Sequence, residues 1–81
     1  MSRQYEEFFA DTVRRADFVG GMIRLEFATL VPSDTQGEAP KLESRRMEIM
    51  PLEGFLNAYS VMQDLLRKLQ EAGVVKRGGT D

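Results

Sequence analysis

From Pro51 to Gly73 apolar residues return every third or fourth position, at Leu52, Phe55, Leu56, Tyr59, Met62, Leu66 and Leu69. That is the helical period rather than the strand period. Ala58, Val61, Leu65 and Ala72 widen the apolar sector to roughly 200° of the wheel, while Glu53, Asn57, Ser60, Asp64, Lys68 and Glu71 fill the rest. A helix lying on one sheet needs little more than a 100° stripe. The excess therefore predicts a second surface against the helix, either another copy of the chain or a different protein.

The ends of this helix carry their own signals. Pro51 suits a first helical position, where its missing N–H costs nothing, and Gly73 suits a left-handed stop. Glu53 near the start and Arg67 and Lys68 near the end complement the helix dipole. Gly54 runs against helix propensity by up to about 1 kcal/mol, which points to a close backbone approach.

Upstream the period changes to two. Ile23, Leu25 and Phe27 alternate with Arg24, Glu26 and Ala28, the pattern of a strand with one buried and one wet face. A first strand is expected over Thr12–Val19, although its alternation is poor, and Gly20-Gly21 supplies the positive φ of a tight hairpin. After Pro32 the run Ser33 to Pro40 is rich in turn residues and predicts a mobile loop. A third strand follows from about Leu42 to Met50, with Met47 and Ile49 facing inward and Arg46 and Glu48 outward. Antiparallel pairing with the second strand sets Arg24 and Glu26 near Glu48 and Arg46 as opposite-charge neighbours.

The expected architecture is α+β: an antiparallel three-stranded meander packed on one long C-terminal helix. Residues 1–10 form an N-terminal segment, a short helix capped by Ser2 or a frayed start. Residues 11–73 form a single βββα domain, and residues 74–81 a disordered tail.

The chain has 81 residues, no His and no Cys. Those absences exclude a histidine general base, a Ser-His-Asp triad, a cysteine nucleophile and the usual zinc ligand sets. Carboxylate pairs such as Glu43 with Glu48, or Asp11 with Asp17, fall among arginines on strands that need a solvated face. They read as surface charge rather than as acid/base or magnesium sites. No catalytic residue, cofactor or metal is expected, and the chain does not read as an enzyme. Gly20-Gly21 lacks the following helix and Lys-Ser/Thr pair of a phosphate loop. No segment approaches the ~20 apolar residues of a membrane span, and the first residues lack signal-peptide character. A soluble cytoplasmic protein is expected.

Arg14, Arg15, Arg24, Arg45 and Arg46 all fall on predicted strands and, with Tyr5, Phe8 and Phe18, form the alternative reading, a groove for single-stranded nucleic acid. Interleaved Asp17, Glu26, Glu43 and Glu48 neutralise most of that field, and the net charge of −2 speaks against nucleic acid as the partner. The helix remains the stronger candidate. Phe55, Ala58, Tyr59, Val61, Met62, Leu65, Leu66 and Leu69 are the expected partner or oligomer interface, and Met22, Met47 and Met50 add adaptable apolar surface elsewhere.

The order of Phe9-Ala10-Asp11-Thr12-Val13, Ile23-Arg24-Leu25-Glu26-Phe27, a polar loop, Arg46-Met47-Glu48-Ile49-Met50-Pro51 and a terminal helix resembles an uncharacterised family of short bacterial strand-strand-strand-helix proteins. More distantly, over residues 9–72, it resembles the sheet-and-helix layout of the export chaperone SecB. That resemblance implies an acidic, intracellular oligomer that binds other chains on apolar surface. It carries over no functional residue, and this sequence has neither a fourth strand nor a second helix of the SecB kind. The expectation is a non-enzymatic, homo-oligomeric interaction domain: an adaptor, chaperone-like factor or accessory subunit.

Overall fold

The computed structural model describes residues 5–76. Its elements are β1 (Thr12–Val19), β2 (Met22–Val31), β3 (Lys41–Pro51) and α1 (Leu52–Glu71). The three strands form one antiparallel sheet in the order β1-β2-β3, a meander, and the fold is α+β. The chain divides into two compact units, Met1–Ile49 and Met50–Asp81.

In the first unit the hairpin between β1 and β2 is fixed by its turn. Val19 pairs with Met22, and Gly20 and Gly21 between them have φ of 60° and 80°. Positive φ at both central residues is the geometry whose twist matches that of the flanking strands. The poor alternation of β1 has a specific cause. Val13 faces Phe27 and Arg15 faces Glu26, so Arg14 is an extra residue without a partner on β2, a β-bulge. Below the bulge Arg15 and Asp17 lie opposite Glu26 and Arg24 on one face, while Ala16 and Phe18 lie opposite Leu25 and Ile23 on the other.

The core sits on the central strand. Ile23 and Leu25 are each 8% exposed and Ala28 is fully buried, and among the described residues no polar or charged one is buried with them. Asp11 finishes the top of the sheet. Its N–H donates to the Ala28 carbonyl at 2.9 Å, and its carboxylate accepts the Leu30 N–H at 2.7 Å, supplying an acceptor where the strand ladder ends. Tyr5 to Ala10 before it form neither helix nor strand. The proposed cap at Ser2 lies outside the described residues, as do residues 77–81 of the expected tail.

Charges pair differently from the sequence expectation. Arg24 and Glu26 are predicted beside Glu48 and Arg46, whereas the structure pairs Arg15 Nε with Asp17 Oδ2 at 2.9 Å and Arg46 Nε with Glu48 Oε2 at 2.6 Å. Residues two apart on a strand share a face, so each long arginine reaches its own strand's acid first. Glu26 instead accepts a hydrogen bond from the Ser44 hydroxyl. The loop from Pro32 to Pro40 contains its own bonds: Ser33 Oγ donates to Glu38 Oε1 at 2.6 Å and accepts the Thr35 N–H at 3.0 Å.

In the second unit Pro51 is the N-cap, with ψ of 161°, rather than the first helical residue. It is also the last residue of β3, so strand passes into helix with no intervening loop. An extended Pro serves this junction because its fixed φ fits both the strand end and the cap. Glu53 in the first turn and Lys68 in the last complement the dipole, and Asp64 and Arg67 form an ion pair at 2.7 Å. At the far end Gly73, at φ 82°, donates to the Gln70 carbonyl at 3.1 Å, and Val74 donates to that of Leu69 at 2.9 Å. This pair of bonds is the Schellman stop. A Cβ added at Gly54 would meet nothing nearer than Pro51 Cγ and Cδ at 3.7 Å, an ordinary contact. Among the described residues of this unit, the close approach expected at Gly54 is therefore not present.

Candidate interaction surface

The eight residues expected at an interface all lie on α1, and none of its 20 residues is buried. Phe55, Ala58 and Leu69 are half-buried. The others are open: Val61 is 59% exposed, Met62 and Leu65 55%, Tyr59 53% and Leu66 44%. Leu52 and Leu56 extend the same exposed surface toward the helix start. Leucine, valine, methionine and aromatic side chains thus lie side by side along several turns of α1 as an open apolar strip. Its one polar tip is tied off, since Gln63 Nε2 donates to the Tyr59 hydroxyl at 3.2 Å one turn away. Both partners of that bond belong to α1, so the Tyr59 ring can be covered without orphaning its hydroxyl.

The arginines of the alternative reading are split and occupied. Register and alternation place Arg14, Arg15, Arg24 and Arg46 on one face of the sheet with Asp17, Glu26 and Glu48, and Arg45 on the opposite face. Arg14 Nη1 donates to Ser44 Oγ at 3.1 Å and to the Leu42 carbonyl at 3.3 Å. The Arg46 guanidinium lies 4.8 Å from the centre of the Phe8 ring, within cation–π range, while its Nε holds Glu48. Three of the five are thus engaged by the protein itself. The same face carries three carboxylates, so it is a mixed polar surface rather than a cationic groove.

Three of the four carboxylates in the pairs named from the sequence are used structurally. Asp11 holds the Leu30 amide, Asp17 holds Arg15 and Glu48 holds Arg46. Among the described residues no three His, Cys, Asp or Glu side chains come together as a metal site requires. No helix among them is long and apolar enough to cross a membrane.

The strand alternation does not predict the bridge from Arg14 to Ser44. Its signal is nevertheless there: Val13, Ala16 and Phe18 leave two polar residues between the first pair and one between the second, the spacing of a one-residue insertion.

Compared with known proteins, the chain matches no family model, and it has no match among curated proteins or solved structures.

Proposed function

We propose that the protein is a non-enzymatic, self-associating interaction domain: an adaptor, chaperone-like factor or accessory subunit whose working surface is the apolar side of α1. The observation that carries this reading is a 20-residue amphipathic helix with no buried residue. A second fact supports it. Only Ile23, Leu25 and Ala28 are buried among the described residues, so the chain holds little core against the entropy of ordering it. A chain without disulfides gains most by covering its open apolar surface with another chain.

The test is a charge placed in the middle of the strip. Met62→Glu should reduce the solution mass to that of the single 9.2 kDa chain while the far-ultraviolet circular dichroism of sheet and helix is retained. An unchanged mass would contradict a helix-borne interface.

A further inference from the structure

One stripe within the apolar surface of α1 keeps a stricter spacing than the rest. Leu52, Phe55, Tyr59, Met62, Leu66 and Leu69 follow alternating steps of three and four, the a/d seam of a coiled coil. In this frame Glu53, Asp64, Arg67, Lys68 and Glu71, the five charged residues of α1, all take the outward b, c and f positions. The positions flanking the seam hold Leu56, Ala58, Gln63, Leu65 and Gln70 and carry no charge.

We propose that α1 pairs with α1 of a second copy of this chain, antiparallel, about a two-fold axis that passes between Ser60 and Val61. The proposal rests on the reading of the helix as a self-association surface and specifies its geometry. Antiparallel seams set each a residue against a d residue. Here Leu52 meets the partner's Leu69, Phe55 meets the partner's Leu66, and Tyr59 meets the partner's Met62.

Side-chain volume selects this orientation. Both aromatics lie in the first half of the seam, so a parallel pair would stack Phe55 and Tyr59 on their own counterparts and force the helices apart at one end. The antiparallel pair gives every layer one larger and one smaller side chain, or two leucines, and keeps the axes at the 8–10 Å of close helix packing. Tyr59 fits such a layer because its hydroxyl already turns to Gln63, a flanking position at the wet edge. Opposed dipoles favour the same arrangement.

The occupant is a second copy rather than an unlike helix for two reasons. Flanking charges are what select unlike partners in coiled coils, and this seam has none. The half-exposed seam with Leu56 and Leu65, counted on both copies, removes on the order of 1,000 Å² from water, about the lower bound of a specific interface.

The natural chain contains no cysteine, so single replacements report geometry cleanly. Leu52→Cys and Leu69→Cys chains, co-expressed and mildly oxidised, should give a disulfide between the two variants and none between like chains. Like positions are 17 residues apart across the pair, about 25 Å along the axis. As a second readout that leaves the seam intact, spin labels on Glu53→Cys and Glu71→Cys should give unequal like-pair distances, the pair at position 71 longer by about 9 Å. Disulfides between like chains with equal label distances would overturn the antiparallel geometry and leave self-association standing. A dimer with neither cross-link nor label coupling would overturn the seam. A single-chain mass throughout would overturn both the seam and the self-association on which it rests.

Discussion

Arg14, the extra residue in the bulge of β1, reaches over the central strand to β3, where its Nη1 lies 3.1 Å from Ser44 Oγ. The same hydroxyl donates to Glu26 of β2, so one serine joins all three strands on the polar face. A regular strand would set residue 14 into the ladder; the bulge frees its side chain to cross the sheet.

Arg14→Ala should therefore destabilise the sheet. It removes two hydrogen bonds at an exposed site, which amounts to about 1 kcal/mol, or a melting point lower by about 4–8 °C in a chain of this size. Ser44→Ala should cost a similar amount, and the double variant less than the sum, because both changes break the same bond. Thermal melts of the four proteins check this, and strict additivity would count against the bridge.

Gly20 and Gly21 both have positive φ. Gly21→Ala should cost about 1 kcal/mol or more, since a Cβ resists that backbone region. Gly20→Asn should be close to neutral, because Asn-Gly is a preferred pair for this turn. Urea denaturation distinguishes the two; equal losses would mean that the turn geometry is not as described.

Gly54 has room for a methyl group. Gly54→Ala should raise stability by a few tenths of a kcal/mol, the helix-propensity gain reduced by its place in the first turn. In the proposed seam it holds an outward c position, so assembly should be unaffected. Loss of assembly in light scattering with helix content retained would reveal a close approach by a partner at this glycine.

Leu65→Glu adds a charge beside the seam rather than within it. It should weaken assembly less than Met62→Glu, and sedimentation of the two variants across a concentration series gives the ranking. The reverse order would move the interface toward Val61 and Leu65.

Much of the fold was legible because period and punctuation agree. Thr12–Val19 and the Gly20-Gly21 turn fall where expected, and α1 ends at a Gly73 stop. Pro51 lies one residue before the helix rather than at its predicted first position, because a proline fits a strand end, a cap and a first turn equally well. The sequence predicts charge pairs across strands, whereas the arginines curl back to acids two residues along their own strands, a choice that alternation alone does not reveal. For the interface, the periodicity of α1 identifies which side chains form the apolar strip. It is silent on what meets them, since a sheet, a copy and an unlike protein all ask for the same residues.

Whether α1 holds copies of this chain together is read from light scattering on the unmodified protein, over a concentration series and at two salt concentrations. The expected mass is at least twice 9.2 kDa and persists at high salt, because the seam is apolar and its flanks carry no charge. A mass of one chain at every concentration would contradict it.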